Sequence, residues 1–407
     1  MTSSERNHSS LWSDLRRLPR SYWILFSGTL INRFGHFVMP FLALYLKKGG
    51  FEPWVTGASL ASYGGGTLFA SFLGGYLADH LGRKPTILIS CLAGVITMLA
   101  LSQASTPAAL IILSGLVGLA GSMYFPAASA LLVDLVPRDL RLRAFGCQRL
   151  AVNLGFAIGM TTAGLLASHS FLLLFIIDAS TTAALGVIVM LGVPPGGQPK
   201  SEHTGWGVAL AAMRRNTAYL RAIFASFCMA VVFWQLSSSW GLHITTVGGH
   251  GEQVYGWLMG LNGLLIVLLE LPLTSLTRHH PGPRVMMVGY LLSGIGIGLS
   301  AFGGSLGLLF AVMILFTLGE MISSPVGHHY VAGLAPDDMR GRFMGVLGIS
   351  WGSAAMVGPA LGIALFEHSP SILWIACFAL SALAAASVGT IRQSRPAENE
   401  PETDQVS

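Results

Sequence analysis

A bilayer core accommodates about 20 mostly apolar residues per helix, and this 407-residue chain supplies such runs one after another. Twelve can be marked, at 21–46, 54–78, 85–103, 107–133, 144–167, 171–193, 219–246, 254–276, 285–303, 306–332, 343–366 and 370–391. Only 10% of residues are charged, against about a quarter in soluble domains, so a soluble fold is excluded. The fifty glycines show no collagen period and suit close packing of helices in lipid. The expected fold class is an all-α polytopic membrane protein with twelve transmembrane helices.

Basic residues set the expected orientation. Arg6, Arg16, Arg17 and Arg20 precede the first span, and alternate loops then hold Arg83 and Lys84; Arg138, Arg141 and Arg143; Lys200, Arg214, Arg215 and Arg221; Arg278 and Arg284; Arg340 and Arg342; and Arg392 and Arg395. The opposite loops hold only Lys47 and Lys48, while Arg33 and Arg149 fall inside spans. By the positive-inside rule both termini lie in the cytoplasm. The net charge of +5 then follows from topology, and no nucleic-acid partner is implied. Cys91, Cys147, Cys228 and Cys377 all fall in apolar runs, where inert packing is expected rather than a disulfide framework. The polar N-terminus is followed by a long span without a small-residue cleavage site, so no cleaved signal peptide is expected.

The longest connection, 194–218, is Pro/Gly-rich and then basic. It divides the chain into an N-terminal segment 1–20, a six-span bundle 21–193, a second bundle 219–392 and a tail 393–407. An internal repeat supports that division. PAASALLVDLVPRDLRLRAFG at 126–146 matches PVGHHYVAGLAPDDMRGRFMG at 325–345 without a gap, pairing Pro126 with Pro325, Pro137 with Pro336, Arg141 with Arg340, Arg143 with Arg342 and Gly146 with Gly345. Gly159 matches Gly358 at the same offset of 199. Two parallel repeats with a substrate site between them near the bilayer midplane are expected.

Gly75-Tyr76-Leu77-Ala78-Asp79-His80-Leu81-Gly82-Arg83-Lys84 resembles the loop 2–3 signature of the major facilitator superfamily, G-x-L-a-D-r-x-G-r-k. With the twelve spans and the repeat, the resemblance covers nearly the whole chain. Within the superfamily the chain looks most like bacterial drug:H+ antiporters, which implies a plasma-membrane efflux permease. It departs from that group in three places. The fifth-span motif G-x-x-x-G-P-x-x-G-G reads Gly155 to Gly164 with Met160 in place of proline; Gly-Pro stands instead at Gly358-Pro359. The group's fourth-span arginine is missing, and the second-half counterpart of the loop signature, SLTRHHPGPR at 275–284, has lost its acid.

Ionisable residues deep in a span are costly and face a cavity or a partner. Arg33 is either a counter-charge, for an anionic substrate or for a protonatable carboxylate, or half of a structural ion pair between helices. A carboxyl in a poorly hydrated cavity binds and releases a proton near neutral pH. Glu320 is the first choice for that role and Asp178 the second, the latter equally able to hydrogen-bond a neighbouring helix. Glu270 lies nearer its span's cytoplasmic end and suits a structural or gating pair. Arg149, one turn from Asn153, binds an acid or substrate, or snorkels to the surface. His36 and His243 are expected to be packed. Asn32, Asn153, Gln235 and Asn262 offer amides to a cavity, and Tyr124, Trp234, Trp240 and Trp351 offer aromatic surface, although tryptophans near span ends also anchor in interfaces.

No GxxxxGK[ST] loop is present, which disfavours an ATP-driven pump, and neither His279-His280 nor His328-His329 has metal-ligand spacing. No enzyme activity, metal or cofactor is expected. Three functions remain: proton-coupled export of small amphipathic molecules by a monomer; symport or uniport of a sugar, peptide or organic acid; and a non-transporting scaffold or sensor, which the buried charges argue against. By the resemblance, Asp79 would face the start of span eleven and Arg340 or Arg342, with Arg83 pairing Asp134, to form a cytoplasmic gate. Gly82 permits the tight turn, Gly74 and Gly75 allow a helix to approach, Lys84 shares the basic loop, and Pro85 fits the first turn of the next helix.

Overall fold

The computed structural model describes residues 15–196, 206–277, 279–336 and 339–391. Arg6, Lys200, Arg278, Arg392 and Arg395 lie outside the described residues. The first half contains α1 (Arg20–Gly35), α2 (Val38–Lys48), α3 (Pro53–His80), α4 (Arg83–Ser102), α5 (Pro107–Ser122), α6 (Tyr124–Leu135), α7 (Arg141–His169) and α8 (Phe171–Gly192). The long connection holds a short helix, α9 (Trp206–Arg215). The second half contains α10 (Thr217–Trp234), α11 (Ser239–Thr246), α12 (Glu252–Thr277), α13 (Gly282–Gly298), α14 (Leu306–Gly333), α15 (Arg340–His368) and α16 (Pro370–Gly389).

Among the described residues, ten helical stretches are long and apolar enough to cross a membrane. The other two marked spans are the first, split between α1 and α2, and the second, a 28-residue helix diluted by glycine and hydroxyl residues. Pro40 accounts for the split. Its ring clashes with a carbonyl four residues back, at His36, but a proline is harmless in the first turn of a new helix. The chain therefore breaks at His36–Phe37 and restarts at Val38. The seventh span breaks at the corresponding place, between Trp234 and Ser239. There side chains brace the break: the hydroxyl of Ser238 donates to Trp234 O at 2.9 Å, and that of Ser239 to Gln235 Oε1 at 3.0 Å.

Packing repeats between the halves. In the first, α1 packs on α7 and α8, α4 on α8 and α5, and α3 on α5. In the second, α10 packs on α15 and α16, α13 on α16 and α14, and α12 on α14. The halves meet through α3 with α15 and through α7 with α12, and exchanging the halves maps each contact onto the other. This is the two-fold pseudo-symmetry that the 199-residue repeat predicts.

Glycines determine how closely the halves approach. A Cβ on Gly256 of α12 would lie 2.6 Å from Gly164 Cα and Met160 O of α7. Gly64 of α3 meets the Ala355 backbone of α15 as tightly. At the same end Lys48 pairs with Glu252 across the halves at 3.5 Å, and the Tyr255 hydroxyl lies 3.2 Å from Pro40 O. Toward the end that carries the arginine-rich loops, the basic end, Gly75 of α3 and Gly348 of α15 have nothing within 4 Å of a Cβ position. The halves are thus joined at one end and diverge toward the basic end.

Candidate functional site

A cavity of about 280 Å³ lies between the halves. The first half contributes Arg33, His36, Met39, Tyr63, Asn153 and Phe156; the second contributes Phe233, Trp234, Asn262, Ile266, Glu320 and Pro359. A second space of about 380 Å³ adjoins it in the first half, where Arg33 and Val152 line both and Arg149, Gln148, Phe125 and Phe145 complete the wall. Such a largely apolar wall with a few converging polar groups is the usual form of a small-molecule site.

Glu320 projects from α14 into the central cavity and also into a small chamber inside the second half. The Asn262 amide donates to Glu320 Oε2 at 3.1 Å and to Thr317 Oγ1 at 2.9 Å, so α12 fixes the carboxyl's orientation. At the 199-residue offset Glu320 corresponds to Gly121, and Arg33 to Val232. The pseudo-symmetric frame therefore carries ionisable groups asymmetrically, a cation from one half and an acid from the other.

The Arg33 side chain has no hydrogen bond or ion pair among the described residues, and its Nε is buried without a partner. Its guanidinium stands 4.4 Å from the Phe125 ring centroid, a cation–π contact. Gly155 and Gly159 of the departed fifth-span motif let α7 close on α1 beside Leu30 and Phe34. Their packing role survives without the motif's proline.

Several residues sit elsewhere than the sequence reading placed them. Asn32 faces α8, donating to Thr182 Oγ1 at 3.0 Å, and does not line the central cavity. Gln235 is 1% exposed and donates to Gly358 O at 2.8 Å and Val231 O at 3.1 Å, bracing the break in the seventh span. Gly358 and Gly362 leave the room it occupies. Asp178 is 2% exposed and accepts the Val38 N–H at 3.4 Å, at the start of α2, where four backbone donors lack helical partners. It lines a small first-half chamber beside Asn32 and Arg33 rather than the central cavity.

Arg149 pairs with Glu270 across the α7–α12 interface on the basic-end side of the cavity. His243 is packed, holding Trp374 Nε1 at 3.1 Å and Gly303 O at 3.1 Å, whereas His36 lines the cavity. Trp240 is buried against Ser300, and Trp351 donates to Ser226. Met39, Tyr63, Phe125 and Phe156 also line these spaces, and an apolar or aromatic residue in a span carries no mark in the sequence of the face it presents.

At the loop after α3, Arg83 reaches Asp134 at 2.9 Å, and Gly82 adopts φ +99°, a turn conformation that favours glycine. Gly74 lies close against Met123 and Pro126, but a Cβ at Gly75 would meet nothing within 4 Å. Asp79 is 61% exposed and reaches Arg83 at 3.9 Å, not Arg340 or Arg342. Lys84 caps the end of α8, donating to Met190 O and Val193 O at 2.8 and 2.7 Å.

Two pseudo-symmetric helical bundles around one shared cavity, joined at one end and parted at the other, define a membrane carrier. The chain belongs to the Major Facilitator Superfamily, whose sequence model matches residues 25–250 and 239–405. It is similar to the uncharacterized MFS-type transporter YqjV of Bacillus subtilis, at 24% identity over 359 residues, 86% of this chain and 87% of that protein. It is also similar to multidrug resistance protein MdtH of Aeromonas salmonicida, at 25% over 360 residues, 87% and 89% of the two chains. The Na(+), Li(+), K(+)/H(+) antiporter of Planococcus maritimus is 24% identical over 356 residues, 79% and 84% of the two. Among solved structures, the fold matches nucleoside transporter NupG (TM-score 0.78, 16% identity, 90% of this chain and 98% of that one). It equally matches an auto-inhibited POT family peptide transporter (TM-score 0.78, 18% identity, 93% and 99%).

Proposed function

We propose that this transporter couples the movement of small amphipathic organic molecules to protons, with Glu320 as the proton site and export as the direction of cargo. The observation that supports it most is the placement of Glu320 in the cavity shared by both halves, steered by Asn262 at 3.1 Å. The apolar and aromatic wall favours amphipathic cargo, and the names of the MdtH and antiporter relatives favour export against protons. In this reading the basic end faces the cytoplasm of a bacterial cell, so the parted halves open inward. Asp79 engages α15 only when that end closes.

A second reading, co-directional movement of an organic acid with a proton, is favoured by the unpartnered Arg33. A carboxylate at Glu320 would repel an anion held on Arg33 and its protonated form would not, so proton and anion would load together.

Flux into proteoliposomes under an imposed pH gradient tests both. One pH unit corresponds to about 1.4 kcal/mol, so one proton per cargo supports about tenfold accumulation. Cargo moving against the proton supports exchange; cargo moving with it supports the second reading. Glu320→Gln should abolish accumulation while downhill exchange persists. Undiminished accumulation in that variant would remove Glu320 from the proposal.

A further inference from the structure

The loop between the second and third spans has a second-half copy in which the partners of the first-half cations are missing. At an offset of 200 residues His80 corresponds to His280, Gly82 to Gly282 and Lys84 to Arg284. In the first copy the cations are satisfied internally. Arg83 holds Asp134, and Lys84 takes the free carbonyls at the end of α8. In the second copy Asp79 becomes His279 and Arg83 becomes Pro283, while Asp134 becomes Gly333 at the 199 offset. Both acids are gone. The carbonyl end of α16 is already taken by Arg221, which donates to Thr390 O at 3.0 Å. The Arg284 side chain has no hydrogen bond or ion pair among the described residues, and the first turn of α13 contains no acid.

A cavity of about 320 Å³ opens beside Arg284 and His280. Its wall passes from these polar groups to Val285, Val288 and Ile322. Val288 is 52% exposed, and nearby Leu276 is 70% exposed, as surfaces that face hydrocarbon are. A cationic mouth continuous with an apolar, bilayer-facing groove matches a lipid carrying a negative headgroup. A soluble anion would use only the mouth.

We propose that this crevice, between the end of α12, the start of α13 and the flank of α14, binds an anionic phospholipid. The phosphate oxygens accept from Arg284 and His280, and an acyl chain lies along Val285, Val288 and Ile322. The lipid supplies the negative charge that Asp79 and Asp134 supply in the first half.

Native mass spectrometry of the full chain, titrated separately with phosphatidylglycerol and phosphatidylethanolamine, tests this. The wild type should retain phosphatidylglycerol preferentially. Arg284→Ala should weaken that binding about fivefold, the factor one arginine supplies near an anionic surface, and weaken phosphatidylethanolamine binding less, so that the preference shrinks. Arg284→Lys should keep most of the preference, which separates lost charge from lost folding. The proposal is overturned if the wild type shows no preference, if Arg284→Ala binds phosphatidylglycerol as the wild type does, or if millimolar inorganic phosphate displaces the lipid.

Discussion

Gly256 permits a close inter-half approach at the end opposite the basic loops, and adding one methyl there should shift the carrier between its two conformations. A Cβ at 256 would lie 2.6 Å from Gly164 Cα and Met160 O, both backbone atoms that cannot rotate away. Ordinary carbon contacts are about 3.5–4.0 Å, so α7 and α12 must separate by about 1 Å. Overpacking of this kind costs about 1–3 kcal/mol. The cost falls only on the conformation in which α7 and α12 touch, so Gly256→Ala should move the equilibrium about 5–150-fold toward the opposite opening. Accessibility of a single cysteine at Met39, which lines the cavity, reports the shift. The background would lack Cys91, Cys147, Cys228 and Cys377, none of which forms a disulfide. Labelling by a membrane-impermeant maleimide from the face opposite the basic loops should rise at least fivefold, and labelling from the basic end should fall. Gly146→Ala, with nothing within 4 Å, is the matched control. An unchanged ratio of labelling from the two faces in well-folded Gly256→Ala would refute the claim that this glycine contact sets the closed end.

Gln235→Leu removes the donor to Gly358 O and the acceptor of Ser239, and should destabilise the protein by about 2–3 kcal/mol, read as a lower melting temperature in detergent. Glu270→Gln leaves Arg149 without its carboxylate and should slow transport by up to about fivefold; the exchanged pair Arg149→Glu with Glu270→Arg should recover the rate, and failure to recover would deny that the pair acts as a pair. Asp79→Asn should lower the maximal transport rate more than the apparent cargo affinity, and unchanged rates would remove the proposed latch.

Segment length and loop charge made the helices legible, because a bilayer imposes both on any chain that crosses it. The same forces conceal breaks within a span. Pro40 sits inside an uninterrupted apolar run, and only its distance from the His36 carbonyl, four residues back, locates the interruption. Facing was the harder problem. Asn32 and Arg33 are neighbours about 100° apart on α1, so one can enter the cavity while the other meets Thr182 of α8. Gln235 is polar and intramembrane, the marks of a cavity amide, yet it serves Val231 O within the broken seventh span and Gly358 O of α15. Glu320 and Asn262 were both picked from the sequence, but their contact joins α12 to α14 across 58 residues and has no local signature. The ring of Phe125 beside Arg33 belongs to the same class of contact.

The two ends of the carrier use forces of different range. At the Gly164–Gly256 and Gly64–Ala355 contacts, closure depends on backbone atoms in van der Waals register, and a gap of 0.5–1 Å already forfeits about a quarter to a half of that attraction. Such an end cannot draw its walls together from a distance; it holds them once they arrive. The basic end carries Arg149 with Glu270, the exposed Asp79, and Arg340 and Arg342 on the facing helix. Charges attract across an open, hydrated gap out to a Debye length of about 8 Å at physiological salt. They also lose little on separation, because each is rehydrated. An end built of charges can therefore begin closing while still several ångströms apart, and that approach levers the glycine contacts open at the other end. On this reasoning the basic end sets the rate of reorientation and its salt dependence, while the glycine end sets how long the present conformation persists.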